Sequence, residues 1–285
     1  PGHPGEPVGR NANRIGGAKF TLNGVTYELA KNSAEVNNLH SGPDYYRDRI
    51  WDAEVEETAL GTTITFGLHS PDGDQGYPGN ADITVSYTLT PDNCLKLDYH
   101  MVSDADTIAN FTNHVYFNLG GYKSGSALDQ KVWIDADYFT ATDANSIPTG
   151  ELVAVKGTPM DFTEMKPIGR DIQEDYQALK YGNGYDHNWA LNHPAGELSL
   201  SAKAEDEKTG RTMEVYTDLP GVQFYTANSL KTERGKNHAV YTPRCGYCFE
   251  TQYFPDAINQ PEFASPVIKA GEEYKTTTIY KFGVK

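Results

Sequence analysis

An all-β fold, a large antiparallel β-sandwich, is what this sequence predicts, and three observations carry the expectation. Apolar and polar residues alternate with a period of two through segment after segment, turn signals separate those segments, and helical periodicity is nearly absent. Ile64, Phe66 and Leu68 alternate with Thr63, Thr65 and Gly67. Ile83, Val85, Tyr87 and Leu89 alternate with Thr84, Ser86 and Thr88, and Leu95, Leu97, Tyr99 and Met101 with Lys96, Asp98 and His100. The stretches 198–204, 213–217 and 276–282 read the same way. Between them stand Asn23-Gly24, Pro71-Asp72-Gly73, Pro91-Asp92-Asn93, Pro194-Ala195-Gly196, Pro220-Gly221 and Ala270-Gly271, which fit tight turns. One stretch, 173–181 with Gly182 as its stop, reads as a helix. Helices do not alternate with the strands, which disfavours a parallel βαβ sheet and favours two packed antiparallel sheets. Residues 1–285 show no repeat, low-complexity block or linker and read as one domain, although a crude rule of about 150 residues per domain would give two.

Composition narrows the function. With 38% hydrophobic, 12% aromatic and 22% charged residues the chain can bury a core and is not a disordered one. Its 24 Lys and Arg against 39 Asp and Glu give a net charge of −15. Such a surface repels phosphate backbones and anionic headgroups, so neither nucleic acid nor a membrane is expected as partner. No apolar run approaches the roughly 20 residues of a membrane span. The chain opens on Pro1-Gly2-His3-Pro4 without a Met and runs at once into a dense motif, which reads as a front that has been cut. A cytoplasmic monomer or weak dimer is expected, with a periplasmic or secreted location as the alternative. Three cysteines, Cys94, Cys245 and Cys248, are an odd number for a disulfide framework. Cys245-Gly-Tyr-Cys248 has CxxC spacing, but a metal needs more ligands and a redox pair sits at a helix N-terminus. The spacing reads as coincidence, with Cys248 a small strand residue.

Several polar segments interrupt the strand pattern, and chemistry is expected there. Residues 9–15 pack Arg10, Asn11, Asn13 and Arg14 together; 37–42 place His40 beside a turn; 70–79 form an acidic loop. His114 stands in the apolar run 112–119, and Asp186 and His187 are adjacent. Each has a plain structural reading: a lone histidine is more often hydrogen-bonded packing than a catalyst, Asp72 and Asp186 suit turns, and both arginines suit surface pairs. Glu250 resists that reading. It stands in the strand-like Cys248-Phe249-Glu250-Thr251, where a carboxylate beside an aromatic residue is costly unless it is hydrogen-bonded or functional.

Taken together, these segments resemble the aldose 1-epimerase (galactose mutarotase) family. Residues 9–15 are similar to its GR-x-ANRI block, 39–42 to its LHGG turn, 70–79 to SPDGEEGYPG, and 112–119 to TNHxYFNL. Further on, 184–188 resemble GYDHN, 220–228 PGVQFYTxN and 250–260 ETQxxPDAxNQ, in the family's order. The resemblance implies a sandwich that binds a free sugar and opens its ring by acid–base catalysis, with no metal and no organic cofactor. It makes Glu250 the general base at the anomeric hydroxyl and His114 the general acid at the ring oxygen. Arg14, His40, Asp186 and Gln223, with Asn13, are implied as holders of the sugar hydroxyls.

Two departures from the family's pattern stand out. Ser41 replaces the first glycine of the LHGG turn, which matters if that position needs positive φ. Family members also carry several strands before the GR-x-ANRI block, whereas nine residues precede Arg10 here. Three rival functions remain: a related epimerase acting on a hexose 6-phosphate, which wants clustered cations; a carbohydrate-binding module, which does not need Glu250 and His114 together; and a glycosidase using Asp186 with Glu250.

Overall fold

The computed structural model describes residues 5–232 and 235–285. Its two large sheets are built from β1 (Asp52–Thr58), β2 (Gly61–Ser70), β3 (Ala81–Leu89), β4 (Cys94–Ser103), β5 (Lys131–Ile134), β6 (Tyr138–Thr142), β7 (Pro148–Ala154), β8 (Lys166–Pro167), β9 (Asp186–Ala190), β10 (Ser199–Glu205), β11 (Arg211–Thr217), β12 (Gly221–Tyr225), β13 (Cys248–Gln252) and β14 (Glu273–Val284). The 9-stranded sheet runs β8-β5-β10-β11-β14-β4-β3-β2-β1 and the 5-stranded sheet β7-β6-β9-β12-β13. Every pairing within them is antiparallel. The expected all-β antiparallel architecture is therefore the observed one.

Alternation decides which side chains turn inward. In β3 Ala81, Ile83 and Val85 are buried, in β4 Leu97, Tyr99 and Met101, and in β14 Tyr274 and Tyr280. These rows meet Trp189, Val222, Phe224 and Phe249 of the smaller sheet in one continuous apolar cluster. At roughly 1.5–3 kcal/mol for each fully buried large side chain, such rows supply the main drive for closing the two sheets on each other. Polar pegs fix their register: the Tyr280 hydroxyl donates to the Phe249 carbonyl at 3.0 Å, and the Thr251 and Thr278 hydroxyls lie 2.6 Å apart.

The helix is shorter than the sequence suggested. It covers Gln177–Gly182, and Asn183 in the left-handed region closes it by donating to the carbonyls of Leu179 and Lys180. Tyr176 is extended at φ −124 and ψ 133, and a turn in which Glu174 N–H bonds the Asp171 carbonyl occupies the expected first half. Asp171 is held there by Lys166 and Arg170, so a local ion cluster overrides the helical propensity of 173–176.

Short two-residue pairings carry the remaining polar segments. Pro7–Val8 pairs with Thr112–Asn113, and Arg14–Ile15 with Asn38–Leu39. They are tied down by Arg10, fully buried, whose guanidinium donates to the carbonyls of Pro78 and Gly79 at 2.9 and 3.1 Å and to Ser70 Oγ at 2.6 Å. The acidic loop 70–79, expected to hold chemistry, instead wraps this arginine. Replacing Arg10 by Met leaves the buried Pro78 and Gly79 carbonyls without that donor, while Ser70 Oγ keeps the Tyr46 hydroxyl, and the variant should lose about 3 kcal/mol or more of unfolding free energy. An unchanged urea midpoint would contradict that account.

Candidate active site

The smaller sheet has one face in the core and one face that is polar. Strand pairing sets Asn188 opposite Gln223 and Asp186 opposite Tyr225, then Gln223 opposite Glu250 and Tyr225 opposite Cys248. Because strand side chains alternate, Cys248, Glu250 and Gln252 share a face while Phe249 and Thr251 point the other way into the core. The result is a grid of polar side chains across β9, β12 and β13, covered by the segments around Asn13, His40 and His114. All five residues of β13 are buried, Glu250 to 2% exposure.

The cavity between grid and cover has a volume of about 220 Å³ and is lined by Glu250, His114, Arg14, His40, Asp186, Gln223 and Asn13, with Leu39, Tyr116, Tyr225 and Ser229. That is smaller than the roughly 300–1,000 Å³ of drug-sized sites and suits a single sugar ring. All the site residues named from the sequence thus converge on one space. Tyr116, Tyr225 and Ser229 were not foreseen. Period two supplied a signal for Tyr225, which follows Gln223 by two positions in the same strand.

His114 Nε2 lies 3.5 Å from Glu250 Oε1. The His114 backbone is fixed by the Glu6 carbonyl, which accepts its N–H at 3.1 Å, and its ring meets those of His40, Tyr116 and Tyr225. Its Nδ1 is 3.4 Å from Cys248 Sγ. Gln223 Nε2 donates to Asp186 Oδ1 at 2.7 Å, and Arg14 Nη2 stands 4.0 Å from Asp186 Oδ2. Asn13 Oδ1 accepts the Arg14 backbone N–H at 2.9 Å, which aims the arginine along the grid. Behind them Gln252 Nε2 donates to Asn188 Oδ1 and Gln223 Oε1 at 3.1 and 3.3 Å, so the polar face is cross-braced.

Two groups have their protonation set by this environment. Burial, and then the Asp186 carboxylate, push Glu250 well above the usual carboxylate range, with Arg14 opposing. His187, whose ring is buried beside Trp189, is driven down by burial to about 4 and is neutral packing. His40 is neutral for a different reason: its Nδ1 accepts the Asn13 backbone N–H at 3.0 Å, so its single hydrogen must be on Nε2.

His40, His114 and Glu250 place their donor atoms within 4.8 Å of one another, the spacing of a three-ligand metal site. A metal, however, needs a lone pair from each ligand. In His40 the Nδ1 lone pair is occupied by an amide and Nε2 carries hydrogen, so this donor set fits a cation poorly and a hydroxyl-bearing ligand well. Ser41, the departure from the glycine turn, does adopt positive φ, at 58°. Its Oγ bonds the Asn11 N–H at 2.9 Å and the Asn11 carbonyl and Tyr77 hydroxyl at 3.0 Å each, which offsets the strained backbone.

Glu250 also affects stability. An isolated glutamate titrates near 4.3, and the folded value is higher. The protonated form therefore supports the fold fully below about pH 4.3, and that support is lost as pH rises through the folded value. Glu250→Gln never ionises, so at pH 8 it should melt roughly 3 °C or more above the parent, the scale of about 1 kcal/mol, with the gap closing towards pH 4. A variant melting below the parent at pH 8 counts against this assignment.

The geometry agrees with comparisons to known proteins. A sequence model of the family described as aldose 1-epimerase matches residues 2–281. The pig protein named galactose mutarotase is 42% identical over 285 residues, covering 99% of this chain and 80% of its own. The Escherichia coli K12 protein named aldose 1-epimerase is 35% identical over 280 residues, 98% and 79% of the two chains. Among solved structures, galactose 1-epimerase from Lactobacillus acidophilus NCFM superposes with a TM-score of 0.86 at 27% identity, covering 99% of this chain and 80% of its own. On this match of sequence and fold along nearly its whole length, the chain belongs to the aldose 1-epimerase family.

Proposed function

We propose that this chain is an aldose 1-epimerase that interconverts the α and β anomers of free aldohexoses such as galactose and glucose, with Glu250 as general base and His114 as general acid. The observation that carries the reading is the pairing of His114 Nε2 with Glu250 Oε1 at 3.5 Å inside a cavity the size of one sugar ring.

The reaction needs a base at the anomeric hydroxyl and an acid at the ring oxygen. Glu250 takes the proton of the hydroxyl while His114 Nε2 gives one to the ring oxygen, the C1–O5 bond breaks and a C1 carbonyl forms. Rotation about C1–C2 presents the other face, and the same transfers in reverse close the ring. Each transfer is worth on the order of 10²–10⁴-fold. A raised Glu250 holds a proton more strongly than a solvated glutamate, which suits a general base. His40, through Nε2–H, donates to a sugar oxygen; Asp186 accepts; Arg14, Gln223 and Asn13 fix the remaining hydroxyls and hence the ring orientation. No step calls for a cofactor.

The hexose 6-phosphate alternative fares worse. Arg14 is the lining arginine, and the cavity wall holds no lysine among the described residues; with Asp186 beside Arg14 a dianion meets little free positive charge. The shared core of both sheets supports 1–285 as one domain, and a monomer or weak dimer is the expected state in solution. No helix among the described residues is long and apolar enough to cross a membrane.

Polarimetry on freshly dissolved α-galactose and α-glucose tests the reading. The chain should hasten the decay of rotation, while Glu250→Gln and His114→Gln should each lose at least about 10²-fold. Decay no faster than buffer, or faster decay with glucose 6-phosphate than with either free sugar, would overturn it. The rate should also fall on the acid side at a pH above the ordinary glutamate value, because protonated Glu250 cannot act as base. A profile flat down to pH 4 would remove Glu250 from that role.

A further inference from the structure

Two buried histidines face the same cavity, and their rings meet edge to face at 5.5 Å. Each has a different group at Nδ1. His40 Nδ1 is met by the backbone N–H of Asn13, which can only donate. His114 Nδ1 is met at 3.4 Å by Cys248 Sγ, which can accept. The nitrogen that bears the hydrogen in a histidine is set by the bond the other nitrogen makes. We propose that Cys248 is a positioning residue for the reaction: its sulfur accepts the Nδ1–H of His114, so the exchangeable proton of that ring is confined to Nε2, facing Glu250 and the sugar. The inference rests on His114 being the acid.

An acid that gives up its Nε2 proton must be left as a neutral imidazole, which requires a hydrogen on Nδ1. If instead the thiol donated to Nδ1, the neutral ring would already carry hydrogen at Nε2, and giving it up would leave an imidazolate. Burial and the nearby Glu250 and Asp186 carboxylates hold the Cys248 thiol well above its usual range, so it keeps its own hydrogen throughout. A carboxylate at this position would draw the Nδ1 proton strongly and weaken the acid; a neutral sulfur orients the ring without doing so. Among the described residues, the groups facing His114 include Cys248 and Glu250 from β13, the rings of His40, Tyr116 and Tyr225, Glu6, whose carbonyl takes the His114 N–H, and across the cavity Asp186 and Arg14. His40 is held in the opposite tautomer and cannot take over the role without breaking its bond to Asn13. The same comparison explains why one histidine serves as acid and its neighbour as fixed donor.

Nitrogen-15 spectra of the histidine rings and the kinetics of Cys248 variants decide the matter. The parent should show neutral His114 with hydrogen on Nδ1 and neutral His40 with hydrogen on Nε2. Cys248→Ala should lower kcat by about tenfold or more with KM little changed, shift the alkaline limb of the kcat profile and mix the His114 tautomers. Cys248→Ser, which keeps an acceptor, should restore most of kcat. Parent-like kcat and pH profile in Cys248→Ala overturn the proposal, as does an Nε2–H tautomer for neutral His114 in the parent; if the alanine variant does not fold, the serine variant and the parent spectrum decide. Parent-like rates in His114→Gln would instead sink the acid assignment beneath it, so the two failures are distinguishable.

Discussion

The burial of one carboxylate organises the rest of the site. Glu250 lies in a strand whose five residues are all buried, where an unpaired ion would cost several kcal/mol. Among the described residues no lysine or arginine pairs with it closely. Arg14 acts at a distance and leans on Asp186, Asp186 itself raises Glu250, and the nearest partner is the His114 ring at 3.5 Å. A glutamate so placed is a poor structural element and a stronger proton acceptor than a solvated one. The polar grid on β9, β12 and β13 exists on the side of the sheet away from the core, so the cost is confined to one face while Phe249 and Phe224 pack the other.

The cover over that grid is stiff in an expensive way. Asn13, His40 and Ser41 all adopt positive φ, at 60°, 53° and 58°. For residues with a Cβ this costs roughly 1–2 kcal/mol each. Hydrogen bonds to the same residues offset it: Asn13 and His40 bond each other through backbone and ring, and Ser41 ties to Asn11 and Tyr77. Strained backbone held this firmly aims two side chains into the cavity without depending on a ligand to order them. The buried Arg10 anchors the segment from below, which is why the loop 70–79 folds around it.

How far the sequence announced all this depends on what kind of signal each feature leaves. The sandwich was legible because burying one face of a strand imposes period two, and β3, β4 and β14 carry it openly. The first half of the helix was misread because an ion cluster at Asp171, set by Lys166 and Arg170, acts across positions that propensity does not see. Glu250 was visible as a violation of its strand's apolar pattern. His114 was not, since its partner is 136 positions away and only strand pairing joins them; the family resemblance alone marked it. The one signal Cys248 left, its CxxC spacing with Cys245, pointed to metal or redox chemistry, and a small buried thiol in a strand otherwise looks like packing until a histidine is found against it.

The proposed pair has a property that suits this particular reaction. Mutarotation returns a molecule that differs from its substrate only at C1, so the site must end each turnover in the protonation state in which it began. A buried acid and base can do this if the ion pair and the neutral pair are close in energy, and the same burial that lifts Glu250 narrows that gap. A fully solvated glutamate would hold the charged form too strongly to take the anomeric proton readily, and a cation bound across His40, His114 and Glu250 would fix the charge on one side. The Asn13 amide at His40 works against such a cation, and the neutral sulfur at His114 leaves the second proton mobile. On these roles the two Nδ1 contacts give the neighbouring histidines different work, one proton exchanged at His114 Nε2 and one held at His40 Nε2.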